Sequence, residues 1–139
     1  MNAINVLYQE NEYRFKFKLY KRKNYQLPHN PPPPSGCYEI EIENVDEIKG
    51  YFQKFGRSFE SHNAHVHTGK DGKPYVCYYA AQTKGEAKDI ARNWVVFTMN
   101  YLVRDIEAEG YISEFKTQDD AIESIIKVLG LKILEPANA

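Results

Sequence analysis

Tyr13, Phe15, Phe17 and Leu19 alternate without a break with Arg14, Lys16 and Lys18. A period of two over that length predicts a β-strand with an aromatic face turned to a core and a basic face turned away, because a helix would scatter both sets around its circumference. A second segment repeats the pattern with the charge reversed: Tyr38, Ile40 and Ile42 alternate with Glu39, Glu41 and Glu43. Side by side, the two strands would set three cations against three carboxylates, each opposed pair worth about 0.2–1 kcal/mol and each helping to fix the register. Between them lie residues 26–36, QLPHNPPPPSG. Four consecutive prolines, Pro31 to Pro34, fix φ and offer no amide donor, which predicts a stiff surface loop joining the strands. Proline segments also dock in aromatic grooves, but nothing flanking this one marks a recognition class.

Three helix starts share one signature. Asn44 precedes Glu47, Thr83 precedes Glu86 and Thr117 precedes Asp120, each by three residues. At that spacing a capping oxygen meets an orphan amide and the acid meets the positive helix end. Beyond Asn44, Val45, Ile48, Phe52 and Phe55 form an apolar stripe ending at Gly56. Beyond Thr83, a helix is expected over 84–108, with Ala87, Ile90, Ala91, Trp94, Val95, Tyr101, Leu102 and Ile106 as its stripe. Its centre is apolar on more than one side, which predicts either the spine of the core or a homo-oligomer interface. Ile122, Ile125, Ile126 and Leu129 mark a third helix closed by Gly130. Further strands are expected at Ile4 to Tyr8, Ser58 to Thr68, Tyr75 to Ala81, Tyr111 to Phe115 and Leu131 to Leu134, with a hairpin-like turn at GKDGKP. The sum is an α+β fold in a single domain over 1–139: an antiparallel β-sheet with two to three helices packed on one face. The β-α-β-β-α-β run from Cys37 to Phe115 has the order of a split βαβ, ferredoxin-like core, preceded by extra N-terminal strands. Residues 135–139 are expected to form a flexible tail.

Charge and cysteine usage narrow the function classes. The net charge of −1 excludes a chain-wide cationic nucleic-acid binder but not a local patch. Cys37 and Cys77 make no disulfide framework, no apolar run is long enough to span a membrane, and the opening residues lack the layout of a secretion signal. A cytoplasmic protein without a cofactor is the expectation.

Chemistry concentrates in two places. His62, His65 and His67 fall within SHNAHVHTG. On a strand, His65 and His67 share a face, and a tight turn at Asp71-Gly72 would set them opposite Tyr78 and Val76. Ala64, Val66, Cys77, Tyr79 and Ala81 would then gather on the buried side. Paired imidazoles of this kind contact a phosphate, hold a divalent metal if further ligands join them, or act as acid and base. Asp71, Glu60 and His62 are the nearby further ligands, but no complete ligand motif is present and no metal site is assigned. The second concentration is RFKFKLYKRK, Arg14 to Lys23, where cations suit phosphates and the interleaved aromatics suit bases. Acids on the next strand can neutralise its first part, whereas Lys21, Arg22 and Lys23 are less easily neutralised and remain available. Arg92, Asn93, Arg104 and Asp105 on the long helix suit either a ligand at a subunit seam or a solvated helix surface, and Cys37 and Cys77 read as buried thiols.

The leading expectation is a non-catalytic binding or regulatory protein. It would contact a phosphate-bearing ligand, a nucleotide or nucleic acid, through Lys21, Arg22, Lys23, Arg57, His65, His67 and Tyr78. Two other classes compete with it. One is a small hydrolase or nuclease using His65 and His67; the other is a protein–protein inhibitor or adaptor using the long helix or the proline loop.

Overall fold

The alternating segment Tyr13 to Leu19 lies in the longest strand of a six-stranded antiparallel sheet. The computed structural model describes residues 2–28, 31, 33–77 and 81–134. In chain order the elements are β1 (Asn2–Tyr8), β2 (Asn11–Arg22), β3 (Cys37–Ile42), α1 (Val45–Lys54), a 3-10 turn (His62–Ala64), β4 (Val66–Thr68), β5 (Pro74–Val76), α2 (Lys84–Arg104), α3 (Ala108–Ile112), α4 (Gln118–Leu129) and β6 (Lys132–Leu134). The strands lie in the order β4-β5-β3-β2-β1-β6, so the fold is α+β. Among the described residues no helix is long and apolar enough to cross a membrane.

Period two decides the two faces. Phe17 pairs with Ile42 and Leu19 with Ile40, and Tyr13, Phe15 and Phe17 are at most 3% exposed beneath the helices. On the other face Lys18 stands opposite Glu41, while Glu43 donates its amide to the Lys16 carbonyl at 2.8 Å. One expected cross-strand charge pair, Lys18 with Glu41, is thus in register, whereas Glu39 faces Tyr20 and no ion pair joins Arg14, Lys16 or Lys18 to these acids among the described residues. The helix that crosses this sheet is α2. All nine residues from Trp94 to Leu102 are buried, against β1, β2 and β3 on one side and α4 on another. The apolar girth that suggested either a spine or an oligomer seam is covered within the chain. Trp94 meets Phe15 and Phe17 edge to face, at 6.0 and 5.9 Å between ring centres, and its indole N–H donates to the Ala64 carbonyl at 3.1 Å.

Two of the three expected caps form: Thr83 accepts from the Glu86 amide and Thr117 from the Asp120 amide, both at 3.1 Å. Asn44 does not cap α1. Its side-chain oxygen accepts the Lys16 amide at 2.8 Å and its nitrogen donates to the Arg14 carbonyl at 2.9 Å, so it extends the β2 ladder past the end of β3.

Three expectations are corrected. Helix α2 ends at Arg104, not 108, because Asp105 turns left-handed at φ 56°. Tyr111 to Phe115 is not a strand: Glu107 accepts the amides of Glu109 and Gly110 at 3.1 Å and starts α3 there. The complete ferredoxin-like core is therefore absent. β3 and β4 do run parallel with β5 between them, but β2 fills the place beside β3 that the fourth strand of that core would take. The expected tail at 135–139 lies outside the described residues.

Candidate functional site

Of the basic cluster, Arg22 holds the start of the proline loop through Glu39. Arg22 lies 3.3 Å from the Glu39 carboxylate, donates to the Tyr75 hydroxyl at 2.9 Å and stacks over the Tyr20 ring at 4.2 Å. Glu39, 4% exposed, also accepts the amides of Gln26 and Leu27 at 2.8 and 3.0 Å. Those bonds fold the start of the loop back over the sheet face away from α2 and bury Leu27. Tyr75 donates to Asp71 at 2.5 Å, and Asp71 in turn takes the Gln26 side-chain oxygen on its own amide at 3.0 Å. Burial, then the bond to Asp71, pushes the Tyr75 phenol well above its ordinary value, and the same bond lowers the Asp71 carboxyl. Arg22 thus latches the start of the loop to the sheet. Lys21 and Lys23 are exposed beside it. Arg57 has a structural task as well: its Nε donates to the Tyr101 carbonyl at 3.1 Å and lies 3.8 Å from Asp105, closing the end of α2.

The two histidines do not share a strand face. The chain from Ser58 to His65 forms turns and the 3-10 helix, with His65 left-handed at φ 53°. β4 begins only at Val66. His67 pairs with Tyr75, and Cys77 donates its amide to the His65 carbonyl at 2.9 Å. The register is one residue away from the expected one, so Val66 and Val76 take the core face and His67 goes exposed to the face of the proline loop. His65 turns instead toward the helices. Tyr78 and Tyr79 lie outside the described residues.

What His65 lines is a cavity of about 190 Å³. Ile90, Asn93, Trp94 and Phe97 enter its wall from α2, at the i, i+3, i+4, i+7 spacing of one helix face. Ala108, Glu109 and Ile112 enter from α3, Gln118 from the start of α4, and Val76 and Cys77 from the end of β5. Most of this wall is apolar, with imidazole, thiol, two amides and one carboxylate placed within it. The buried His65 Nε2 has no hydrogen-bond partner among the described residues, a deficit of about 1–3 kcal/mol for a buried polar atom. Burial, with the neighbouring His62 at 5.6 Å between rings, lowers the His65 pKa below its ordinary value. Burial, then the charge of Glu109, raises that of the Cys77 thiol. At neutral pH the two groups are therefore a neutral imidazole and a thiol, not the ion pair that activates a cysteine. No group of three or more metal-ligating side chains occurs among the described residues.

Cys77 was legible only as a buried thiol, and Asn93 only as part of a subunit seam. Glu109 and Ile112 carried no signal while 111–115 read as a strand. Comparison with models of known protein families, with curated proteins and with solved structures finds no match to this chain.

Proposed function

We propose that this chain is a non-catalytic binding protein whose site is the cavity between the His65 turn, α2 and α3, and that its ligand is a small molecule of about one ring. The observation that carries the reading is an apolar wall interrupted by a few polar groups: the His65 ring, the Cys77 thiol, the amides of Asn93 and Gln118 and the Glu109 carboxylate. That combination gives a guest a desolvated seat and polar groups to orient it. Size sets the guest: drug-sized ligands occupy about 300–1,000 Å³, whereas an apolar space of about 150 Å³ admits benzene. A phosphate-bearing guest finds no lysine or arginine among the described wall residues. The left-handed backbone at His65 supports the same reading, since a strained residue of this kind costs about 1–3 kcal/mol and persists where its placement serves a purpose.

Trp94, the one tryptophan of the chain, stands in the wall and reports on occupancy. Titration with benzylammonium, benzyl alcohol and benzoate is expected to change its emission saturably for at least one of the three. The Ala108→Leu variant, which fills the cavity from α3, is expected to abolish the change while the protein stays folded. Unchanged emission with all three probes overturns the reading.

A further inference from the structure

Among the described residues, the cavity wall carries a single formal charge, that of Glu109. Glu109 is exposed in the first turn of α3 and forms no ion pair among the described residues. Its neighbour Glu107 cannot substitute for it, because both Glu107 oxygens accept backbone amides as the cap of that helix. His65 supplies no compensating cation, since burial favours its uncharged form, and Cys77 stays a neutral thiol for the same reason. Trp94 and Phe97 stand in the same wall, and the faces of aromatic rings attract cations. Asn93 and Gln118 bring amide oxygens that accept N–H donors.

We infer that the guest is a small organic cation, an ammonium group on an apolar body of about one ring, with Glu109 at the cavity mouth as its counter-ion. This rests on the reading of the cavity as a binding site. An ammonium offers N–H donors to a wall equipped with acceptors, and its apolar body takes the place beside Ile90, Phe97 and Ile112. A carboxylate or phosphate in the same seat would set like charge beside Glu109. A neutral isostere would fill the space and leave that charge unpaired.

The test uses the full chain and three probes of one shape: benzylammonium, benzyl alcohol and benzoate, titrated by calorimetry at pH 7.5. Benzylammonium is expected to bind about tenfold more tightly than benzyl alcohol, from the cation–π and ion-pair contributions together, and benzoate most weakly. Glu109→Gln is expected to bring benzylammonium to the affinity of the alcohol, and Glu109→Lys to reverse the order of benzylammonium and benzoate. Equal binding of the alcohol and the ammonium, or a preference for benzoate, overturns the cationic ligand class while leaving the cavity as a binding site. The same tenfold ratio in Glu109→Gln overturns Glu109 as the counter-ion. Failure of all three probes overturns the binding reading itself.

Discussion

His65 is the residue at which fold and site pull in opposite directions, and replacing it separates the two. Its backbone sits at φ 53°, a conformation that costs a residue with a Cβ about 1–2 kcal/mol. Glycine escapes that penalty but brings back about 0.4–1 kcal/mol of unfolded-chain entropy. His65→Ala and His65→Gly both delete the imidazole and both remove the unpartnered Nε2, so the gap between them isolates the backbone. The glycine variant should be the more stable by about 1 kcal/mol, a difference of about 3 °C in melting temperature for a chain of this size. Urea unfolding followed by far-ultraviolet circular dichroism measures the gap directly, because the slope is common to both variants and the midpoints differ. Both variants should lose ligand binding. An alanine variant as stable as the glycine one, or more so, would refute the claim that His65 is held under backbone strain.

Three other perturbations have defined outcomes. Glu39→Ala leaves Arg22 and two loop amides without their buried acceptor, and should cost about 3–5 kcal/mol with loss of hydrogen-exchange protection at Gln26 and Leu27; a cost under 1 kcal/mol contradicts the latch. Trp94→Phe should cost about 1–3 kcal/mol, because the Ala64 carbonyl loses its donor, and it should weaken binding through the displaced 3-10 turn; unchanged stability contradicts that support. The depressed pKa of His65 has a signed consequence. As pH falls below about 6.5 the unfolded chain takes up this proton before the folded one, so the contribution of His65 to stability is present above that pH and declines below it. The urea midpoint of the native chain should drop between pH 7.5 and 5 more steeply than that of His65→Gly, and parallel slopes count against the assignment.

The parts of this fold legible in the sequence are those where one periodicity runs long enough to exclude the other. Seven residues from Tyr13 to Leu19 fix a strand, its buried face and, through Glu41 and Glu43, its neighbour. Thr83 and Thr117 cap their helices as their spacing predicts. Asn44 carries the same signature yet serves the sheet, because the amide of Lys16 and the carbonyl of Arg14 reach it before the helix amides do. The hairpin between β1 and β2 turns on Gln9 and Glu10, both at positive φ, where neither residue type announces such a turn. Short runs mislead for a different reason. Tyr111, Ile112 and Phe115 suit helix and strand equally, and the helix start depends on Glu107, an uncommon cap.

The site was harder to see than the fold. Its wall is drawn from five separate stretches of chain, of which only the α2 face has a period of its own. The histidine segment misled because the chain from Ser58 forms turns and a 3-10 helix ending in left-handed His65, so the strand expected from Ser58 begins only at Val66, and His65 faces the helices while His67 is exposed on the other side. The one-residue shift in register moves Val76 to the core face, and the left-handed turn at His65, outside the strand, sends its imidazole toward the helices.

The most direct test of the central claim uses the indole N–H of Trp94, which gives one isolated signal in a nitrogen–proton correlation spectrum. Benzylammonium should move that signal saturably in the native chain and leave it in place in Ala108→Leu, whose own spectrum shows the fold retained. A signal that does not move in the native chain, or that moves equally in the filled variant, contradicts a ligand site between His65, α2 and α3.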